Sequence, residues 1–159
     1  MDARLNIYEN PVSVKFLKHI RAASKVIHSS LPAMTRELVS LRVSQINGCA
    51  FCVDMHIKEA TNLGETALRL HMVAAWREAN VFSDAERAAL ELAEQGTRIA
   101  DAAGGVTDEA WANAAEHYDE DQLSALVSLI SFMNVVNRIN VITRQSGGDY
   151  QLGWRSQFE

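Results

Sequence analysis

The sequence predicts an all-α protein, a single domain built as a bundle of about six or seven helices. Nearly every long segment repeats its apolar residues with the helical period, and no stretch shows strand-like alternation bounded by turns. The chain has 159 residues, of which 48% are hydrophobic and 22% are charged, which is typical of one globular domain. We therefore expect one helical domain over residues 1–148 and a C-terminal tail beyond it.

Start and stop signals define the first three predicted helices. Asn10 followed by Pro11 is a capping residue with proline at the first helical position, so a helix should begin there and reach about residue 29. A second helix is predicted over residues 33–47. The third begins at the two cysteines and ends at Gly64, because glycine suits a left-handed helix cap.

The later helices have comparable signals. They are predicted, in order, at about residues 65–80, 84–103, 107–118 and 120–147. Ser83 and Glu86 have the spacing of a capping box at the start of the second of these. The acidic run at residues 119–121 supplies a cap and favourable charge for the start of the last helix.

The predicted tail, residues 149–159, is rich in aromatic side chains. Tyr150, Trp154 and Phe158 all lie in it, which is unusual for a solvated linker. We expect the tail to pack on a neighbouring subunit of a homo-oligomer.

Charge and hydropathy exclude several classes of partner. The net charge is −5 and the basic residues are scattered, which argues against a nucleic-acid partner. The N-terminus lacks the apolar core of a signal peptide, and no uninterrupted apolar run approaches the ~18 residues of a membrane span. These patterns predict a cytoplasmic protein with no membrane partner.

The two cysteines are the main functional signal. In a reducing compartment, the C-x-x-C spacing of Cys49 and Cys52 indicates catalysis or metal binding more than a permanent structural bridge. In a helix at about 100° per residue, Cys49, Cys52 and His56 share an arc of about 60°. Asp54 and Lys58 fall on the opposite side, so the cysteine face should point into the core. The sulfurs occupy the first turn, where free amides and the helix dipole favour a thiolate.

An acidic residue on the preceding helix completes the candidate site. Glu37 shares its arc with the small residues Ser40 and Ser44, which allow close helix approach, so its carboxylate could assist proton transfer at His56. A zinc site is an alternative interpretation, because thiolates and imidazole are zinc ligands. Zinc prefers four ligands, and only three lie together here. No metal and no cofactor is therefore predicted.

The same residues resemble a known family. The order Glu37, eleven residues, C-x-x-C, three residues, His56 resembles the active-site motif of the alkylhydroperoxidase D (AhpD) branch of the carboxymuconolactone decarboxylase superfamily. The resemblance covers about residues 4–139, including Ser44-Gln45-Ile46-Asn47-Gly48-Cys49-Ala50-Phe51-Cys52-Val53-Asp54-Met55-His56, Arg4-Leu5-Asn6, Gly64-Glu65-Thr66, Trp76-Arg77-Glu78, Glu86-Arg87-Ala88-Ala89-Leu90 and Asn134-x-x-Asn137-Arg138.

The resemblance implies an activity and an assembly. It implies a helical homotrimer or homohexamer that reduces small hydroperoxides. In that scheme Cys52 is the peroxidatic thiolate, Cys49 the resolving thiol, and Glu37 and His56 the proton relay. An external dithiol of the lipoyl or thioredoxin-like kind must then reduce the disulfide.

One departure from the family pattern keeps other functions open. The best-known AhpD enzymes carry a relay histidine immediately before the second cysteine, whereas this chain has Phe51. The natural substrate could therefore differ. The alternatives are a disulfide reductase or redox adaptor that uses the same pair, and a sensor whose cysteines change its assembly on oxidation. Lactone decarboxylation is disfavoured, because decarboxylase members of the superfamily generally lack the cysteine pair.

Overall fold

The computed structural model describes residues 2–102 and 104–154, except for the side chain of His28. These residues form seven α-helices and no strand. The helices are α1 (Pro11–His28), α2 (Ala33–Ile46), α3 (Ala50–Asn62), α4 (Ala67–Met72), α5 (Asp84–Thr97), α6 (Asp108–His117) and α7 (Glu120–Thr143). The all-α class and the predicted number of helices are confirmed.

The predicted helix starts are also confirmed. The Asn10 side chain caps α1 by accepting hydrogen bonds from the first free amides, with Pro11 at the first helical position. Ser83 and Glu86 form the predicted capping box of α5. Asp119 caps α7 in the same reciprocal way. These caps satisfy amides that have no partner inside the helix.

The fourth helix is shorter than predicted. The α-helix stops at Met72 and passes into one 3-10 turn, Val73–Ala75, instead of continuing to residue 80. The guanidinium of Arg87 on α5 donates hydrogen bonds to backbone oxygens further along, at Trp76 (3.0 Å), Arg77 (2.8 Å) and Ala79 (2.9 Å). These carbonyls are therefore satisfied by a neighbouring helix and not by a continued helix of their own.

The fifth helix also ends early. α5 stops at Thr97, whereas the prediction extends to Ala103, a residue outside those described. Thr97 is the last buried position, and Ile99 two residues later is 65% exposed. Since most helical stability in proteins comes from packing of a buried face, a helix without such a face has little to extend it.

Helix α2 lies at the centre of the bundle. It packs on α3, α5 and α7, and eight of its fourteen residues are buried. Its apolar side chains contribute to two adjoining core clusters, with Val39 and Val43 in one and Leu38 and Leu41 in the other. A helix buried on all sides positions its polar residues firmly, and Glu37 is one of them.

Helix α7 is the other core element that positions the site. By length and composition alone its 24 residues could cross a membrane. In this fold it packs instead on α1, α2, α3, α5 and α6. Helices at the core of soluble proteins pass the same test, so the apolar character of α7 is weak evidence for a membrane span.

Candidate active site

A tight turn between α2 and α3 presents the two cysteines. Gly48 has a φ of +67°, a left-handed conformation that glycine adopts without strain. Cys49 follows as the N-cap of α3, and its sulfur accepts a hydrogen bond from the amide of Cys52 at 3.3 Å. The sulfurs therefore sit in the first turn of a helix, as predicted, where the amides and the helix dipole favour negative charge.

The two cysteines form a disulfide. Cys49 and Cys52 are bonded, with Cα atoms 5.3 Å apart, and each residue is only 1% exposed. The prediction that the cysteine face points into the core is therefore confirmed. Both partners lie in the first turn of α3, so the bond closes a short loop of the same helix.

His56 and Glu37 form a buried pair beside the cysteines. The Nδ1 atom of His56 lies 2.6 Å from Oε2 of Glu37, and the two residues are 0% and 4% exposed. The pair joins α3 to α2, the arrangement that the sequence suggested. The remaining ring nitrogen of His56, Nε2, is buried and has no hydrogen-bond partner among the described residues. Glu37 therefore holds the ring at Nδ1, and Nε2 is available for proton transfer.

Asn140 is a site residue that the sequence analysis missed. Its side-chain amide donates to the Cys52 sulfur at 3.2 Å from within α7, and the residue is 8% exposed. A signal for it exists in the sequence. Asn134, Asn137 and Asn140 recur every three residues along an otherwise apolar helix, so all three fall within an arc of about 120°. Buried amides at that spacing indicate a polar face directed at a partner.

The other two asparagines hold the turn that carries the cysteines. The side-chain amide of Asn47 donates to the side-chain oxygens of Asn134 (3.1 Å) and Asn137 (3.0 Å). Asn137 in turn donates to the hydroxyl of Ser44 at 3.2 Å. This network fixes the end of α2 against α7. Since Cys49 comes two residues after Asn47, the network also helps to fix the position of the cysteine pair.

A small cavity adjoins the disulfide. Its volume is about 140 Å³, and it lies between α1, α3 and α7. The cavity wall is mostly apolar, and Cys52, His56 and Asn140 contribute to it. Its other lining residues are Ile7, Tyr8, Leu17, Ile20, Arg21, Ser24, Phe51, Met55, Phe132, Met133, Val136, Ile139 and Trp154. Cys52 and His56 therefore belong to the wall of one cavity.

Aromatic side chains cover this region. Phe51, the residue immediately before Cys52, meets the rings of Trp154 (5.5 Å between centroids) and Tyr150 (6.4 Å) edge to face. Tyr8 meets Trp154 in the same way at 5.2 Å. We call these four residues the aromatic cover. The position that carries a relay histidine in the best-known AhpD enzymes is thus used here for packing.

A polar clamp holds the chain after α7 against α3. One oxygen of Asp54 accepts hydrogen bonds from the backbone amides of Gly148 (2.7 Å) and Tyr150 (3.0 Å), while its other oxygen pairs with Lys58 at 2.8 Å. Burial alone would raise the pKa of Asp54, but these hydrogen bonds and the lysine charge outweigh it and lower that pKa. A Cβ on Gly147 would overlap the backbone carbonyl of Ala50, so the chain passes very close to the cysteine turn.

The clamp and the aromatic cover bring residues 149–154 back onto the subunit to which they belong. Phe158 lies outside the described residues, and packing of the tail on a neighbouring subunit remains a prediction. Asp54 and Lys58 do occupy the face of α3 opposite the cysteines, but that face binds the tail.

The alternative zinc interpretation concerns Cys49, Cys52 and His56. Across residues 2–102 and 104–154, no group of three or more His, Cys, Asp and Glu side chains is placed to hold a metal ion. The three residues considered for zinc have other partners, since Cys49 binds Cys52 and His56 binds Glu37. The disulfide, the Glu37–His56 pair and a small cavity meet at one place.

Comparison with known proteins agrees with the fold and the motif. Residues 13–95 match the model of the carboxymuconolactone decarboxylase family. The uncharacterized protein YdfG of Bacillus subtilis (strain 168) is 42% identical over 142 residues, which are 89% of this chain and 94% of YdfG. The family match includes the segment from Glu37 to His56. The match to YdfG covers most of the chain.

Solved structures show the same architecture. A protein of unknown function from Agrobacterium tumefaciens, proposed to be the antioxidant defence protein AhpD, superposes with a TM-score of 0.86 at 31% identity, over 94% of this chain and all of that one. The debrominase Bmp8 superposes with a TM-score of 0.74 at 18% identity, over 96% of this chain and 80% of its own, a likeness of fold alone.

The fold and the Cys49–Cys52 pair fit a redox role. By its match to the family model, its curated relative and its solved neighbours, the chain belongs to the carboxymuconolactone decarboxylase family, as an AhpD-like member.

Proposed function

We propose that the protein is a thiol-dependent peroxidase that reduces small organic hydroperoxides through Cys52 and Cys49. The observation that carries the proposal is the buried Glu37–His56 pair, 2.6 Å between its polar atoms, whose histidine lines the same cavity as Cys52. A purely structural disulfide needs neither an acid–base pair nor a cavity. A peroxidase needs both, because the leaving oxygen must take up a proton away from bulk water.

The first step oxidises Cys52. Its thiolate attacks the terminal oxygen of the hydroperoxide, so that an S–O bond forms while the O–O bond breaks and two electrons pass from sulfur to oxygen. The alkoxide leaves with a proton from Nε2 of His56, and Glu37 stabilises the imidazolium that supplies it. The amide of Asn140 donates to the attacking sulfur. The products are an alcohol and the sulfenic acid of Cys52.

The second step closes the disulfide. The Cys49 thiolate attacks the sulfur of Cys52, an S–S bond forms, the S–O bond breaks, and hydroxide leaves to become water with a proton from the relay. The Cα atoms 5.3 Å apart suit that bond without a shift of the helix. An external dithiol then supplies two electrons and two protons, and becomes a disulfide itself. The sum is hydroperoxide and dithiol to alcohol, water and disulfide.

The burial of the sulfurs favours a slender reductant. Both cysteines are 1% exposed, and the aromatic cover lies beside them. A dithiol on a narrow arm, such as a lipoyl group, can enter where a folded thioredoxin-like protein is blocked. Dihydrolipoamide should therefore reduce the disulfide faster than reduced thioredoxin does at equal concentration, and the reverse order would contradict this part of the proposal.

The central test follows oxidation of the reduced protein in a stopped-flow mixer with tert-butyl hydroperoxide. Cys52→Ser should lose peroxide consumption entirely, since no sulfur remains at the attacking position. Cys49→Ser is the matched control. It should still react once, and its sulfenic acid should be trapped by dimedone. Sustained dithiol-coupled turnover in the Cys52→Ser variant would refute the assigned roles.

Two other functions use the same residues and are separated by direct measurements. A disulfide reductase or redox adaptor would exchange with oxidised lipoamide faster than it reacts with any hydroperoxide. An oxidation sensor would change its subunit number when the disulfide forms. Native mass measured before and after oxidation should stay constant for the peroxidase.

The expected homotrimer or homohexamer is part of the proposal. Apolar side chains on α1 and α7 support self-association, since Val12 and Val26 are 78% and 73% exposed and Ile142 is 65% exposed. The same native mass measurement gives the subunit number, and a monomer at micromolar concentration would contradict it.

A further inference from the structure

The segment after α7 supplies part of the wall of the cavity beside the disulfide. We call residues 147–154 the strap. The helices α1, α3 and α7 supply most of that wall, whereas Trp154 belongs to the strap. The Trp154 ring also meets the ring of Phe51, the residue immediately before Cys52, at 5.5 Å between centroids. The strap therefore bounds the cavity close to the residue that carries the reactive sulfur.

Both residues between the two cysteines lie against the strap. A Cβ on Gly147 would overlap the backbone carbonyl of Ala50, so the two backbones are in close contact there. Phe51 packs edge to face on Tyr150 and Trp154. The strap is thus seated directly on the turn that presents the cysteines.

Two charged side chains of α3 hold the strap in this position. Asp54 accepts hydrogen bonds from the backbone amides of Gly148 (2.7 Å) and Tyr150 (3.0 Å). Lys58 donates to the backbone carbonyls of the same two residues, at 3.0 and 2.9 Å. The Tyr150 hydroxyl also bonds the carboxylate of Glu59. The hold on the strap is therefore largely polar.

The strap is less buried than the helices that form the rest of the wall. It belongs to no helix, and of its eight residues, all of them described, Tyr150 is the one that is buried. The hydrogen bonds from Asp54 and Lys58 to Gly148 are exposed to solvent. Segments with few buried side chains and exposed hydrogen bonds open locally at lower cost than packed helices. The strap is therefore the part of the wall that opens most readily.

We propose that the strap is a gate, and that its closed form, held by Asp54 and Lys58, sets the largest reactant that reaches Cys52. With the strap in place the cavity has a volume of about 140 Å³, compared with the roughly 150 Å³ of an apolar cavity that takes up benzene. A reactant no larger than a phenyl ring therefore fits, and a larger one reaches the sulfur only after Trp154 moves away with the strap.

Asp54 and Lys58 are positioning residues in this scheme. Neither lines the cavity, and both act through the strap. The claim about access to the Cys52 sulfur stands without the proposed function. Its consequence, an upper limit on the size of the hydroperoxide, rests on that function.

The test compares alkylation of Cys52 by two neutral alkyl halides, the small iodoacetamide and the two-ring monobromobimane. In both reactions the thiolate forms an S–C bond while the carbon–halogen bond breaks and halide leaves. A change in thiolate population or nucleophilicity therefore largely cancels in the ratio of the two rate constants. The parent for this assay is Cys49→Ser, in which Cys52 is the one remaining thiol. Glutathione gives the ratio for an unprotected thiol.

The gate predicts a bimane-to-iodoacetamide ratio at least about tenfold lower in the parent than in glutathione. Asp54→Ala should raise the ratio by about tenfold, because loss of hydrogen bonds to a charged group increases the open fraction by about that factor. Lys58→Met, which removes the donors to the strap, should act in the same direction. Glu91→Gln is the matched control, because it removes a carboxylate that pairs with Arg77 at 3.2 Å outside the cavity, and it should leave the ratio unchanged.

Trp154→Ala tests the gate without altering the clamp. It removes the ring from the cavity wall, so it should also raise the ratio, and it keeps the proposal testable where a clamp variant does not fold. A parent ratio equal to that of glutathione would overturn the gate, since the cavity would then impose no size limit. An equal rise in Glu91→Gln and Asp54→Ala would overturn it too, as would an unchanged ratio in Asp54→Ala when hydrogen exchange shows that the Gly148 amide is released.

The outcomes also separate the gate from the peroxidase. Size-selective alkylation of Cys52 in a protein that reduces no hydroperoxide would support the gate and refute the peroxidase. Reduction of hydroperoxides by a protein whose alkylation shows no size selectivity would overturn the gate alone.

Discussion

Replacing Asn140 by leucine tests whether the amide on α7 stabilises the reactive sulfur. The side-chain nitrogen lies 3.2 Å from the Cys52 sulfur, and the residue is 8% exposed. Leucine keeps the branched shape, and the adjoining cavity wall is largely apolar. The substitution therefore removes one hydrogen-bond donor with little change in packing.

The size of the effect follows from two opposing terms. A hydrogen bond to a charged group contributes about 1.5 to 3 kcal/mol, so its loss lowers the thiolate population by about 10- to 150-fold where the thiol is only partly ionised. A less stabilised thiolate is a better nucleophile, and a Brønsted coefficient of about 0.4 to 0.5 restores about half of that loss on a logarithmic scale. The net expectation is oxidation about 3- to 12-fold slower on the acidic side.

The sign should reverse at high pH. Once both proteins are fully ionised, only the nucleophilicity term remains, so the variant should react as fast as the parent or faster. The assay is stopped-flow oxidation by tert-butyl hydroperoxide from pH 5 to 10. Thr143→Val is the matched control, because it removes a hydroxyl from α7 that bonds only the Ile139 carbonyl and Gln145. Parallel pH profiles for Asn140→Leu and the parent would refute the reasoning.

Two further predictions address the acid–base pair and the clamp. Glu37→Gln removes the negative partner of His56 at constant size, so stopped-flow peroxide reduction should slow by about 10- to 100-fold, and an unchanged rate would exclude the relay. Asp54→Asn should release the chain after α7, seen as hydrogen exchange at the amides of Gly148 and Tyr150 faster by about tenfold or more, while unchanged exchange would contradict the clamp. Because the pKa of Asp54 is lowered, its contribution should be complete above the ordinary aspartate pKa of about 3.9 and lost as the pH falls through the lowered value. The parent should therefore keep these amides protected at about pH 5 and lose that protection only at a pH below the ordinary aspartate pKa.

Much of the fold follows from local signals. Helix caps are encoded within four residues, and the starts at Asn10, Ser83 and Asp119 are all confirmed. The ends of α4 and α5 depend on distant partners, and both differ from the prediction. Arg87 satisfies the carbonyls that would have continued α4, and α5 stops where its buried face stops. Neither cause is visible in the residues of the helix itself.

The site shows the same division. Cys49, Cys52 and His56 lie on one helix, so their common face follows from spacing alone. Glu37 approaches from the preceding helix, where the small residues Ser40 and Ser44 on the same arc indicated close helix approach. Asn140 comes from 88 residues further along the chain, and only tertiary packing places it on the sulfur.

The side chain at position 51 can either pack against aromatic rings or carry protons, but it cannot do both. Its ring lies against Tyr150 and Trp154, so a histidine there would need either to forgo that packing or to bury an imidazole among aromatic rings. Under the proposed function, proton delivery therefore rests on His56 and Glu37. At position 51, a side chain that shields the sulfur by packing excludes one that carries protons. Phe51 shields the sulfur.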